Sequence, residues 1–305
     1  MGGSGGGYFI SNVKEIKNKI NDTTKDIDKK EYDANVASFL SELLSQYNNR
    51  NVGIINTHLE EILKAVENGI EGHLDFKLGG SVSKYTFVDG ISDIDTLLIL
   101  NDSELSDKSP KAIKKIIADM LKKRFKKTDI SIGKMAVTVS FSDYDIQILP
   151  ALKSGGKVMI PDASGNSWAK IDTEKFTSTL TKTNDNNRNK LVPIIKLAKA
   201  IINKLPEKHQ LSGYHVEALA VDIFDNYLGE QTYKTMLKHF FQQASQKVLS
   251  PIKDKTEQSV YVDEYLSTKN SLPRQIVSGA LDRLYRKLHN ADNLLSLETW
   301  KDMFE

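Results

Sequence analysis

Eleven residues separate Gly80-Ser81 from Asp93-Ile94-Asp95, and these are the residues in the chain best suited to phosphate and metal chemistry. A glycine turn lets backbone N–H groups come close to phosphate oxygens, because no side chain intervenes. A serine in the same turn adds a hydroxyl donor. Asp93 and Asp95 open the aliphatic run Ile94 to Leu100, and two residues apart on a strand means two carboxylates on one face. Such a pair suits two Mg²⁺ ions, which want hard oxygen ligands and take the rest from water and triphosphate. Against this, Asp-x-Asp arises often by chance, and Ser92-Asp93 could simply form a turn or cap before a strand. Context weighs the other way: turn acids that face solvent are not expected at the mouth of a buried strand, least of all behind a Gly-Ser entered from another strand.

The elements that must position these residues follow from hydrophobic spacing. From Tyr8 to Asn68 the pattern is helical, with Val36, Phe39, Leu40, Leu43 and Leu44 on one stripe and Ile54, Ile55, Leu59, Ile62 and Leu63 on another. Asn68-Gly69 and Glu71-Gly72 break it, and the short strand-like run Leu74 to Leu78 leads into Gly79-Gly80-Ser81. Ile94 to Leu100 is the clearest buried strand, ended by Asn101-Asp102. Residues 108–127 predict an amphipathic helix, with Ile113, Ile116, Ile117, Met120, Leu121 and Phe125 inward. Met135 to Phe141 and Tyr144 to Leu149 alternate with period 2 and read as antiparallel neighbours about a Ser142-Asp143 turn, and Val158-Met159-Ile160 is a further short strand. Beyond Asp172 only helical patterns follow, at 173–183, 190–204, 214–228, 231–248, 274–290 and near 297–304, with Pro206, Pro251 and Pro273 between them. The expected fold class is therefore α+β: a helix-preceded sheet lobe, then an all-helical lobe, with a boundary near 172–188.

Bulk composition closes off other classes. The 42 Lys+Arg residues against 40 Asp+Glu argue against binding duplex nucleic acid by bulk charge, although local basic patches are allowed. The absence of cysteine excludes disulfide frameworks and thiolate metal sites. The six histidines show no zinc-binding spacing. No window approaches the ~18 apolar residues of a membrane span, and no leader-like region opens the chain, so the expected setting is cytoplasmic with no membrane partner. Met1 to Gly7 reads as a flexible glycine linker. The Lys-rich face carrying Lys122, Lys123, Arg124, Lys126 and Lys127 is first a solvated helix face and only second a phosphate-binding patch.

Leu78-Gly79-Gly80-Ser81 followed by Ser92-Asp93-Ile94-Asp95 resembles the signature of the polymerase-β-like nucleotidyltransferase superfamily. Leu191 to Lys196 and Leu211-Ser-Gly-Tyr-His-Val-Glu217 resemble the helical lobe of the oligoadenylate synthase and cyclic GMP-AMP synthase group, which includes the bacterial CD-NTases of anti-phage CBASS operons. The similarity spans roughly Asp75 to Asp292. It implies an active site in the cleft between a nucleotidyltransferase lobe over 8–185, N-terminal helices included, and a helical nucleotide-binding lobe over 186–305. It also implies roles. Gly80 and Ser81 hold the donor triphosphate, Asp93 and Asp95 bind two Mg²⁺ ions (Mn²⁺ as a substitute), Lys196 reaches a phosphate, and Tyr214 stacks on the base, on a helix starting near Ser212. Without the resemblance, Lys196 reads equally as a solvated helix lysine and Tyr214 as a half-buried packing residue.

A third carboxylate is expected on the strand Tyr144-Asp145-Ile146-Gln147-Ile148-Leu149-Pro150-Ala151, which resembles the family strand ending in Pro-Ala. Many members carry the acid nearer that proline, where this chain has Gln147. Asp143, Asp145 and Gln147 share strand parity. Asp145 is the choice, since it lies within the strand while Asp143 falls in the turn; Asp143 remains the alternative. The activity implied is synthesis of a cyclic di- or trinucleotide from NTPs, ATP among them, with release of pyrophosphate. Its partners would be nucleotide substrates, a downstream effector sensing the product and, in some relatives, a nucleic-acid activator. Two rivals stand: a nucleotidyltransferase that adds NMP to tRNA or protein, and a catalytically dead nucleotide sensor.

Overall fold

A computed structural model describes residues 7–71, 74–100, 104–154, 157–162, 164–255 and 261–305; the side chains of 7–24, 154, 157 and 173 are outside that description. The linker at residues 1–6, Gly72 and the Asn101-Asp102 strand stop also lie outside the described residues.

The helical reading of the N-terminal region resolves into α1 (Gly7–Tyr47) and α2 (Val52–Glu67). The break comes at Asn51, whose side chain caps α2 by accepting from the Ile54 N–H. A mixed sheet follows, in the order β1-β2-β5-β4-β3. Its strands are β1 (Asp75–Leu78), β2 (Ile94–Ile99), β3 (Asp129–Ile132), β4 (Val137–Ser140) and β5 (Asp145–Ser154). The far half of β5 also pairs with β6 (Lys157–Pro161), which pairs with β7 (Trp168–Ile171). The short helix α3 (Gly80–Ser83) joins β1 to the loop before β2. β3 and β7 are absent from the sequence reading, and each has a single buried residue, Ile130 and Ile171, too little for a period to show.

One pairing places the chemistry. β2 and β5 run parallel in a sheet otherwise antiparallel among the described strands, with Ile94 opposite Ile146 and Asp95 opposite Gln147. Ile94, Leu98, Ile146 and Ile148 point into a core shared with Ile55, Ile62 and Val66 of α2. The helix α4 (Pro110–Arg124) adds Ile113, Ile117 and Leu121 to that core. It is capped by Ser109 and has Pro110 in its first turn, where no N–H is missed. Alternation therefore turns Asp95 and Gln147 to the other face of the sheet.

The second core is helical. It is built by α6 (Leu191–Asn203), α7 (Gly213–Phe224), α8 (Tyr233–Lys247), α9 (Leu272–Asn293) and α10 (Leu297–Lys301). Two elements from earlier in the chain join it. Tyr32, Val36, Leu40 and Leu44 of α1 pack there, as do Phe176 and Leu180 of α5 (Thr173–Asn186). The cores therefore interleave along the sequence. Spacing shows that a helix has an apolar stripe without showing which core takes it.

The strand of chain before α9 is fastened by a buried ion pair. Arg274 and Asp263 are both fully buried, and Arg274 Nη1 donates to Asp263 Oδ2 at 2.6 Å and to the Val248 carbonyl at 2.9 Å. Breaking a buried pair leaves the partner charge unmatched. Arg274→Leu is expected to lower unfolding free energy by about 3–5 kcal/mol in urea titration, and Arg274→Leu combined with Asp263→Leu to recover part of that loss.

Candidate active site

The Gly80 turn is shaped around Asp95. Gly80 has φ +49, and a Cβ there would meet Asp95 Oδ2 at 1.7 Å. The Gly79 N–H donates to the Asp95 carbonyl at 2.9 Å, and the Ser81 N–H to Asp95 Oδ2 at 3.3 Å. The loop thus leans on the strand that carries the acid, and only glycine permits the approach. Ser81 is buried, yet its Oγ has no hydrogen-bond partner.

Asp93 stands one residue ahead of β2 and keeps the parity of Asp95. Burial raises its carboxyl above the usual range, and the charges of Asp145 and Asp95 raise it further, against a hydrogen bond from Gln147. Asp95 is also raised by burial, opposed by the Ser81 N–H and the Lys84 charge. Asp145 opens β5, exposed, opposite Ser140. Asp143 is turned away: its Oδ1 takes His58 Nε2 of α2 at 2.9 Å. Of the two candidates for a third acid, Asp145 is the one that Asp93 feels.

Among the described residues no three His, Cys, Asp or Glu side chains are gathered closely enough to hold a metal ion as they stand. Gln147 Nε2 holds Asp93 Oδ2, and Asp95 faces Ser81. The donor set nonetheless fits a hard divalent cation in charge and chemistry. Two half-buried carboxylates repel each other and a third, which is the strain a cation relieves.

Across from the acids lies a group the sequence reading did not single out. Glu217 of α7, fully buried, takes Lys199 Nζ of α6 on Oε1 at 2.8 Å and Lys84 Nζ on Oε2, and accepts from the Thr86 hydroxyl. Lys199 Nζ also donates to the Thr86 carbonyl at 3.2 Å. Burial alone would push the Glu217 carboxyl upward, but the Lys84 and Lys199 charges and their hydrogen bonds outweigh it and hold it at about 2. A signal was present: Glu217 sits within Val216 to Val221 and Lys199 within Leu197 to Ile202, lone charges inside apolar helices that have to be paired.

Lys84 also lies 5.1 Å from the Tyr214 ring centre and 5.2 Å from that of Phe176, and these two rings meet edge to face at 4.9 Å. The Tyr214 hydroxyl donates to Asp254 Oδ1 at 2.8 Å. Ser212 caps α7 by accepting from the His215 N–H, and its own N–H donates to Tyr265 Oη at 3.1 Å. Burial lowers the His215 imidazole to about 4, opposed by Asp263 and reinforced by Arg274, so the ring is neutral at pH 7, and its Nδ1 shares a hydrogen bond with the Tyr265 hydroxyl at 2.9 Å. Lys196 donates to Asn48 Oδ1, and burial together with Arg50 and Lys199 lowers its ammonium to about 8. The structure thus brings Gly80, Ser81, Asp93, Asp95 and Asp145 to one end of the sheet, with Tyr214 joined to them through Lys84. Lys196 stands one helical turn from Lys199, beside a second cation.

Glu217→Ala is expected to cost about 3–5 kcal/mol of unfolding free energy at pH 7, since it strands the buried Lys199 ammonium and the part-buried Lys84 one. The folded pKa lies below the unfolded one, so the stability Glu217 supplies is complete above about 4.5 and lost as pH falls toward about 2. Denaturation midpoints across that window should therefore fall less steeply in the variant than in the parent. Gly80→Ala should lower the melting temperature, because its methyl would meet Asp95 Oδ2 at 1.7 Å and must displace that carboxylate.

No protein of curated function matches the chain in sequence. Residues 31–184 match the family described as Second Messenger Oligonucleotide or Dinucleotide Synthetase domain (SMODS). Solved structures share the fold. E. coli MS115-1 CdnC with ATP has 15% identity and a TM-score of 0.65, over 89% of this chain and 96% of that one. Elizabethkingia meningoseptica CdnE cyclic dinucleotide synthase, with GTP and Apcpp, has 14% identity and a TM-score of 0.58, over 76% and 91%. Vibrio cholerae DncV cyclic AMP-GMP synthase, with the linear intermediate 5′ pppA(3′,5′)pG, has 12% identity and a TM-score of 0.61, over 95% and 88%. At these identities the likeness is one of fold, the polymerase-β-like nucleotidyltransferase architecture. The family match covers half of the sequence, and with it the Gly-Ser turn and every acid of the sheet end: the chain belongs to the second messenger oligonucleotide or dinucleotide synthetase family of nucleotidyltransferases.

Proposed function

We propose that this enzyme uses Mg²⁺ to join nucleoside triphosphates, ATP among them, into a cyclic di- or trinucleotide, releasing pyrophosphate at each step. The observation that carries the reading is the Ser81 turn: a buried hydroxyl without a partner, in a turn packed on Asp95. Ser81 and the Gly80 backbone bind the donor triphosphate. Lys196, whose ammonium burial and the Arg50 charge depress, takes further phosphate charge together with Arg50. Tyr214, on the capped helix that begins after Ser212, offers a ring for the base. Asp93, Asp95 and Asp145 would hold the metal ions. Bound there, the ions would neutralise charge on the α-phosphate and on the leaving oxygen and lower the pKa of the attacking hydroxyl.

The acceptor's ribose oxygen forms its bond to the α-phosphorus as the bond to pyrophosphate breaks. Asp145, exposed at the mouth, is placed to orient that acceptor hydroxyl. Most of the rate enhancement comes from in-line positioning between the two lobes, with 8–185 supplying the acids and 186–305 the base and phosphate contacts. The ATP, GTP and dinucleotide in the related structures agree with these substrates for their own proteins. The reading includes a cytoplasmic setting, an anti-phage signalling role and a downstream effector that senses the product. Among the described residues no helix is long and apolar enough to cross a membrane.

Incubation of the purified protein with labelled NTPs and Mg²⁺ or Mn²⁺ tests it. A phosphatase-resistant product identified by mass spectrometry, and absent from an Asp93→Ala/Asp95→Ala variant, is the expected result. Label transferred to added tRNA or protein instead would sink the cyclic-nucleotide reading.

A further inference from the structure

The position beside Asp95 in the sheet is held by an amide. The parallel register sets Gln147 directly opposite Asp95, and the Gln147 side chain crosses to Asp93, where Nε2 donates to Oδ2. The amide nitrogen must be the atom turned to the carboxylate, since the amide oxygen would repel it. Asp93 is thus held by a side-chain amide. Asp95 has the Ser81 N–H and the Lys84 charge, and Asp143 has His58. An acid in place of Gln147 would add negative charge beside Asp93, Asp95 and Asp145. The amide removes that charge and supplies a donor instead.

From this geometry we propose that Gln147 is a positioning residue: it locks Asp93 in the ligand-free enzyme and gives it up only to a metal–nucleotide complex. A lone divalent cation would have to displace the amide with only two or three acids to bind. A cation arriving on a triphosphate brings phosphate ligands and is bound by Ser81 at the same time, so it displaces the amide with more in hand. Occupancy of the metal site is then tied to occupancy of the nucleotide site. The inference rests on the reading of Asp93 and Asp95 as metal ligands.

Mn²⁺ binding measured by electron paramagnetic resonance, with and without a non-hydrolysable ATP analogue, tests the lock. The panel is the parent, Gln147→Leu, Gln147→Glu and Asp95→Asn. In the parent the analogue should tighten Mn²⁺ binding beyond what the analogue binds alone. Gln147→Leu removes the donor without adding a ligand. It should tighten nucleotide-free Mn²⁺ binding by about tenfold, the worth of one hydrogen bond to a charged group, and shrink the effect of the analogue. Its ligand-free melting temperature should fall while the rise on adding Mn²⁺ grows. Gln147→Glu should bind nucleotide-free Mn²⁺ more tightly than Gln147→Leu. If Gln147→Leu weakens Mn²⁺ binding, the amide oxygen is a ligand and the lock is wrong. If it leaves Mn²⁺ binding unchanged and only melts earlier, the role is structural and the lock is again wrong. Mn²⁺ binding by the parent that Asp95→Asn does not diminish would overturn the metal-site reading itself, and the lock with it.

Discussion

The buried carboxylate of Glu217 is the contact on which the two halves of the molecule depend. It gathers Lys84 and Thr86 from the stretch after the Gly-Ser turn and Lys199 from α6. Two cations for one anion leave a net positive charge, and it lies within electrostatic reach of Asp95. A buried ion pair adds little net stability over a well-packed apolar contact, but it is expensive to break and tolerates few geometries. It therefore suits a junction that must hold the Gly-Ser turn at a fixed distance from a helical lobe. An apolar contact between the same elements would allow sliding; three hydrogen bonds to one carboxylate do not.

The free site is balanced within itself. On the sheet side Gln147 quiets Asp93, and the Ser81 N–H and Lys84 quiet Asp95. On the helical side Lys196 leans on Asn48, with Arg50 near. These are second-best partners, an amide for an acid and a side-chain carbonyl for an ammonium. A metal-bound triphosphate carries both signs of charge, so it offers each side a stronger partner at once. On the proposed function, binding of such a complex would trade internal compensation for external compensation.

Much of this was legible in the sequence because two signals coincided. The Gly-Ser turn and Asp93-Ile94-Asp95 were readable from residue types and spacing, since a buried β2 requires alternation that leaves both acids on one face. The helices after Asp172 were readable from spacing and from prolines; Pro273 sits in the first turn of α9, where its missing N–H costs nothing. What was not legible was partnership across distance. Nothing local tells that α1 packs with α6 and α8 while α2 packs on the sheet. Nor does spacing within β5 tell whether Asp143, Asp145 or Gln147 adjoins the acids of β2. That depends on register, and register is fixed by Ile94 and Ile146 meeting in the core.

The parallel pairing of β2 and β5 explains why register matters so much here. Antiparallel strands would bring the start of one to the end of the other, and the acids at the starts of β2 and β5 would lie at opposite edges. Parallel strands begin at the same end, so residues fifty positions apart in sequence share a site without any loop having to carry them. The arrangement is fixed by the apolar face alone. Ile94, Leu98, Ile146 and Ile148 have one face to bury, and slipping β5 by one residue would turn Ile146 and Ile148 into the cleft and Gln147 into the core. The core under α2 and α4 thereby sets which polar side chain stands beside Asp95, and through it how Asp93 is held.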